Sequence, residues 1–329
     1  MRLIAINTAK DLNPFLSHQL YADFDPDSLI QQGPDAHWLV VDNNDNALAR
    51  CSLWWQQVPT YQTEHLGVIG HFAAENSAAA QSVLQQACQQ LKQQGCSMAV
   101  GPMDGNTWRR YRLISQCGDE PPFFLEPNNP DSYPVYFLEN GFAVMAEYSS
   151  ALNSDLTIED DRIKQFRQQT QQQGIQLRPL SMEAFEEELT DIYELSLASF
   201  QDNFLYTPIA QAEFFSLYAR IKPYVRPELT LLAEQNNQLI GYLFGLPDLA
   251  QAERGQTIDT LIIKTVAVSP KHRSAGLGAL LVAEAQRRAH DLGYCRAIHA
   301  LMHHTNNSRQ ISHHCATTMR QYALYQRIL

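Results

Sequence analysis

At 329 residues the chain exceeds the usual size of one domain, and 45% hydrophobic with 18% charged residues describes an ordinary globular protein of two domains, each of about 150 residues. A net charge of −11 argues against a nucleic-acid partner, which needs a basic face, and no apolar run reaches the length of a membrane span, so no membrane partner is expected. The charge is uneven: residues 1–150 hold 7 Lys and Arg against 16 Asp and Glu, a net of −9, whereas residues 151–329 hold 17 against 19, a net of −2. A polyanionic cofactor is therefore expected in the second half.

Met1–Asn7 lacks the apolar stretch and small-residue cleavage site of a secretory signal and reads as a first strand. His37–Val41 and Ala47–Trp55 flank Asp42-Asn43-Asn44-Asp45-Asn46, a hairpin signal. Leu66–Phe72 is a strand, Ser77–Gln94 carries Val83, Leu84, Ala87, Cys88 and Leu91 at helical spacing, Gly95 stops it, and Ser97–Val100 is a strand. The Gln-rich run from Asn153 to Gln173 is the expected linker. Six cysteines without a CxxC pair or regular spacing argue against a disulfide framework or zinc ribbon, so a reducing cytoplasm is expected.

The second half repeats the order. Ile175–Leu180 suggests a strand and Ser181–Phe200 an amphipathic helix, and a second helix follows Pro208. A hairpin spans Leu229–Leu246, a strand Thr257–Ser269, a helix Leu277–Leu292 with Gly293 as its stop, and a strand Cys295–Met302. Gly95 corresponds to Gly293, which points to a tandem duplication.

Val266-Ala267-Val268-Ser269-Pro270-Lys271-His272-Arg273-Ser274-Ala275-Gly276-Leu277-Gly278-Ala279 joins an apolar strand to a glycine turn and a helix start. Glycines let the backbone approach an anion, and the N-terminal N–H groups of the helix face it. It is neither a P-loop nor a dinucleotide fingerprint, since Leu281 stands where the latter needs a third glycine. A plain tight turn is the alternative. With its strand, proline and arginine, the run resembles the pyrophosphate-binding motif of the GNAT superfamily of acetyl-coenzyme A dependent N-acetyltransferases. The element order resembles that fold too, and in the first half Asn128-Asn129-Pro130 through Tyr136 to Gly141-Phe142 resembles the segment that closes such a domain.

The resemblance implies an α/β fold with a mixed sheet in two tandem GNAT-like domains: residues 1–152 a degenerate copy, 153–173 a linker, 174–329 the acetyltransferase. In the first copy Ala73–Ala80 replaces the phosphate turn, with no glycine or arginine and with Glu75 to repel phosphate. It further implies acetyl-CoA as cofactor, with Val266, Ala267 and Val268 holding the pantetheine arm and polarising the thioester. Lys271, Arg273, Ser274, Ala275, Gly276, Leu277, Gly278 and Ala279 would form the phosphate site, with Asn306 and Asn307 after the fifth strand. The loop Phe200–Pro208 would line the acceptor pocket, with Asp202 and Tyr206 to orient an amine, although Asx and Pro also make ordinary turns.

The family's tyrosine acid is not where its pattern puts it: His313 and His314 follow Asn306 and Asn307 at that distance. His304, Tyr322 and Tyr325 are the catalytic candidates, each with an alternative as a surface histidine or core aromatic. His303-His304 and His313-His314 do not suggest a metal site, because adjacent strand residues point to opposite faces and no carboxylate sits among them, and Cys315, after a helix, is more often packed than a nucleophile. The expected reaction is direct acetyl transfer to a primary amine of a small-molecule or peptide acceptor in the cleft between the halves. The acidic first half either attracts a cationic acceptor or only solubilises. A coenzyme A sensor without turnover and a tRNA-dependent aminoacyl transferase are the alternatives.

Overall fold

Two runs of antiparallel strands, each ending in a parallel crossover over a helix, build one large mixed sheet. The computed structural model describes residues 1–158 and 160–329, with the side chains of Ser274, Ala275, Asn307 and Ser308 outside the description. The first run is β1 (Arg2–Ile6), the single turn α1 (Ser28–Gln31), β2 (Ala36–Val41), β3 (Ala47–Trp54), β4 (Leu66–Ala74), α2 (Ser77–Gln93) and β5 (Met98–Gly101). After it come β6 (Leu113–Gln116), α3 (Ser132–Glu139), β7 (Ala143–Asn153) and α4 (Arg162–Gln172). The second run is β8 (Gln176–Pro179), α5 (Phe185–Phe200), α6 (Gln211–Ile221), β9 (Leu231–Gln235), β10 (Gln238–Pro247), α7 (Leu249–Glu253), β11 (Thr260–Val268), α8 (Leu277–Asp291) and β12 (Arg296–His303). It is followed by α9 (Asn307–Ser312) and β13 (Thr317–Ile328).

Each helix sits where its periodic apolar face finds the sheet. Ala79, Ala80, Val83, Leu84, Ala87 and Leu91 of α2 are fully buried against β3 and β4 residues such as Leu53 and Ile69. In the second half α8 buries Leu277, Leu281 and Ala285 against Leu243, Leu261 and Ala297, while α5 and α6 cover the opposite face through Leu189, Ile192 and Phe214. Three-residue and four-residue turns and α1 fill the first half's stretch between β1 and β2, where the second half has α5 and α6.

The two runs are joined by an exchange of strands. The order is β1-β2-β3-β4-β5-β13-β7-β12-β11-β10-β9-β8, with β6 pairing β13. Thus β7 pairs antiparallel with β12 of the second run, and β13 pairs antiparallel with β5 of the first. β7 and β13 pair with each other at the centre, from Thr317↔Leu152 to Gln326↔Ala143. The sheet therefore crosses the boundary expected at residues 152 and 153: each half's open edge is covered by the other half's closing strand, which removes two exposed edges.

Candidate functional site

The parallel pair β11 and β12 separates part-way. Its register runs from Thr260↔Arg296 to Ile263↔His299 and stops, while β11 continues to Val268. Two irregularities drive the strands apart. β12 follows β7 through a register shift between His299 and Met302, where Leu301 takes a left-handed φ of 59°. On β11, Phe244 faces Thr265 but Gly245 faces Ile263, so Lys264 is the extra residue of a bulge, the device that re-aims a side chain. The edge of β11 beyond Ile263 is left facing a gap.

A groove of about 960 Å³ opens on one side of this gap. The connection from β11 enters a short 3₁₀ turn, Pro270–Ala275, and reaches Gly276 at φ 69°, where helix α8 starts with no side-chain cap. A Cβ on Gly276 would lie 2.4 Å from the ring of Phe166, which packs over this turn from α4. Only glycine meets both the left-handed φ and that close contact. The first-turn N–H groups of α8 have no intrahelical acceptors and carry the positive end of the helix dipole. Arg273 lines the groove, donating from Nη2 to the Ser199 carbonyl at 2.5 Å, with Nη1 3.7 Å from Asp202. This donor set fits the diphosphate of an acyl-CoA.

A cavity of about 850 Å³ lies on the other side, between the halves. The loops after β5 and β6 build its first-half wall and are bolted to the second half. The Trp108 indole N–H donates to the Thr207 carbonyl at 2.8 Å, Arg109 pairs with Glu213 at 2.6 Å, and the Phe124 amide donates to Asp248 at 2.8 Å. Groove and cavity share Phe200, Asn203, Val266, Val282, Asn306 and Ile311 as walls, so they meet at the gap.

Residues 188–319 match the family model described as Acetyltransferase (GNAT) family. Those residues form a GNAT-family domain. The chain is 28% identical over 188 residues to a bacterial ceramide synthase of Caulobacter vibrioides (strain NA1000 / CB15N), covering 56% of this chain and 49% of that one. It is 23% identical over 164 residues to the Protein YghO of Escherichia coli (strain K12), covering 49% and 42%. The chain thus spans about half the length of the curated relatives it matches. Among solved structures, a tandem GNAT protein from the clavulanic acid biosynthesis pathway aligns over 99% of this chain and 98% of its own, with a TM-score of 0.52 at 10% identity. A GCN5-related N-acetyltransferase from Sphaerobacter thermophilus aligns over 99% and 95%, with a TM-score of 0.51 at 13% identity. These likenesses show the fold, a mixed α/β tandem GNAT architecture. No helix among the described residues is long and apolar enough to cross a membrane.

Within the GNAT domain the structure gathers most of the expected cofactor residues. Val266, Ala267, Val268, Arg273, Gly276, Gly278, Ala279 and Asn306 line the groove, as does Asp202, and Tyr206 lines the cavity. Two depart. The Leu277 side chain turns into the core, fully buried, because the first turn of α8 must anchor to the sheet. Lys271 is exposed and does not line the groove. The side chains of Ser274, Ala275 and Asn307 lie outside the described residues.

The three catalytic candidates do not reach either cavity wall. Tyr325 is buried on the first half's side of the exchange, stacked 5.5 Å from Phe137. His304 pairs with Glu147 at 3.3 Å beyond the end of β12. Tyr322 is fully buried; its hydroxyl donates to Glu126 and lies 2.9 Å from Ser150, so it touches the cavity only through Glu126. It is His303, one residue before the expected histidine, that faces the cavity, its ring stacked 5.3 Å from Phe204 and held below the usual imidazole range by burial.

Sequence reasoning missed two contributors. Helix α4, read as a linker, supplies Ile163 and Phe166 to the groove; their spacing of three residues on a polar helix was the available signal. The loop carrying Trp108–Arg112 had a readable density of aromatic and basic residues but no motif.

Proposed function

We propose that the protein transfers an acetyl group from acetyl-CoA to the primary amine of a small-molecule or peptide acceptor. One observation carries this reading: the groove and the inter-half cavity meet at the gap between β11 and β12, so a thioester held in one is open to an amine held in the other. Acyl-CoA, when bound, supplies an activated acyl carbonyl. The open edge of Val266–Val268 is placed to hydrogen-bond it, and the first turn of α8 with Arg273 is placed to hold phosphate. The aromatic walls exclude water, which favours amide formation over hydrolysis. The C–N bond forms as the C–S bond breaks, the amine losing a proton and the thiol leaving.

Residues 1–152 act in this reading as a GNAT-like copy that holds no cofactor and walls the acceptor cavity, residues 153–173 as a connector that also closes the groove, and residues 174–329 as the catalytic domain. A relative bears the name ceramide synthase, and the cavity's aromatic lining suits an apolar acceptor, so a longer acyl donor is the second reading. Thiol release measured with acetyl-CoA and long-chain acyl-CoA against an amine panel separates them. Release with acetyl-CoA supports the first reading, release with long-chain donors alone supports the second, and tight coenzyme A binding with no release from any donor replaces both with a sensor.

A further inference from the structure

We infer that the acceptor carries an anionic group beside its amine, and that Arg112 and Lys264 hold that anion in the inter-half cavity. This deepens the acyltransferase reading and rests on it. Arg112 is 7% exposed, its guanidinium 4.0 and 4.2 Å from the ring centroids of Tyr111 and Tyr148. Its Nη1 donates to the Leu301 carbonyl at a long 3.3 Å, its buried Nε has no acceptor, and no carboxylate pairs with it among the described residues. Lys264, aimed into the same cavity by the β11 bulge, donates to the Leu125 carbonyl at 3.4 Å. Among the described residues the hydrogen bond recorded for each cation is one long bond to a backbone oxygen, Arg112 being further flanked by the two tyrosine rings.

The charge there is unbalanced. Glu126 also lines the cavity, but Arg320 holds it at 3.2 Å with both side chains buried, and Tyr322 donates to it. The cavity lining thus sets four cations, Arg109, Arg110, Arg112 and Lys264, against two carboxylates, Asp23 and Glu126, and of these Arg109 is taken up by Glu213 and Glu126 by Arg320, while burial lowers the His303 imidazole. Desolvation and the charge of Arg112 pull Lys264 down to about 8, against the opposing pull of Glu126. Uncompensated buried cations are costly, and an anion between Arg112 and Lys264 removes the cost.

The backbone adds an independent observation. Arg112, Leu125 and Leu301 all adopt left-handed φ, 68°, 63° and 59°, and all line this cavity. Such strain in non-glycine residues gathers where a ligand is clamped. Lys264 stands two residues before Val266 on β11, a rise of about 7 Å, which puts the anion a few bonds from an amine at the gap. The remaining walls, among them Trp108, Phe200, Phe204 and Tyr242, suit an apolar body. The acceptor class is an apolar amino acid or an aminophosphonate or aminophosphate of similar shape.

Calorimetry on the full chain with phenylalanine, its phosphonate analogue and phenethylamine tests this. The two anions should bind roughly ten- to a hundred-fold tighter than phenethylamine, the tighter of the two naming the anion, and Lys264→Met and Arg112→Met should each abolish the difference. Equal binding of all three compounds, no binding by any, or a difference that survives both substitutions overturns the inference. Circular dichroism checks the fold of the buried Arg112 variant; should that variant unfold, Lys264→Met decides alone. A parallel coenzyme A titration keeps the two readings apart. Failure to bind coenzyme A sinks the acyltransferase reading, whereas coenzyme A binding without an anion preference sinks only this inference.

Discussion

The helix that follows the last antiparallel strand begins differently in the two halves. In the first half two residues separate β4 from α2, and Asn76 caps the helix, its side chain accepting the Ala79 amide at 2.9 Å. In the second half eight residues separate β11 from α8, and the cap is Gly276, which has no side chain to offer. The adjoining gap differs in the same sense. Beside β4 it is filled by the chain itself: the Met103 amide donates to the Ile69 carbonyl at 2.8 Å, and the Asp104 carboxylate accepts the His71 amide at 2.6 Å. Beside β11 it is left open. One half satisfies its polar ends internally and gains stability; in the other Gly276 offers no side-chain cap, and in the reading proposed above a ligand takes that part.

The sharpest way to break this contrast is to fill the open turn. Gly276→Glu with Gly278→Glu should weaken coenzyme A binding by more than about a hundred-fold, since added carboxylates repel phosphate and Gly276 has no room for a Cβ. Calorimetry reads the loss, and an unchanged far-UV spectrum shows the fold retained.

Touching the plugged gap should do the reverse. Asp104→Ala leaves the buried His71 amide unpaired and should cost about 2 kcal/mol of stability in urea unfolding, with coenzyme A affinity unchanged and a stoichiometry of one per chain. Asn76→Ala removes a helix cap and should cost about 1 kcal/mol, again without effect on the cofactor. A second equivalent of coenzyme A would show that the first half has a site after all.

The smallest effect distinguishes the cavity's lysine. Burial lowers Lys264 to about 8, so between that pH and the ordinary lysine value the unfolded chain binds more protons than the folded one. The folded state therefore gains stability as pH rises through this window. Lys264→Met should stabilise the protein at neutral pH, and that advantage should shrink toward pH 10. Urea midpoints that stay parallel across the range would contradict it.

Most of the elements and the glycine turn before α8 were legible because local physics writes them into the sequence. The hairpin at Asp42–Asn46, the stops at Gly95 and Gly293, and the Arg273-to-Gly278 turn are read from residue types at short spacing. Tyr325 was misplaced because its position follows from strand exchange, a pairing with Gly101 that no local pattern encodes. His304 and His303 were confused because one residue of register decides which face is shown, and a bulge near Leu301 sets that register. Arg112 and Lys264 escaped notice because an unpaired cation is visible only once the surroundings are known.

The exchange of closing strands also governs how the chain can be made. The first half leaves the ribosome with the far edge of β5 bare, and its partner, residues 317–328, is the last strand of the second half to emerge. Tyr325 must find Gly101, 224 residues earlier, so the native pairing closes late and has a high contact order. Neither half is a natural fragment, and a chain cut after α9 would present β5 and β7 as open templates for aggregation.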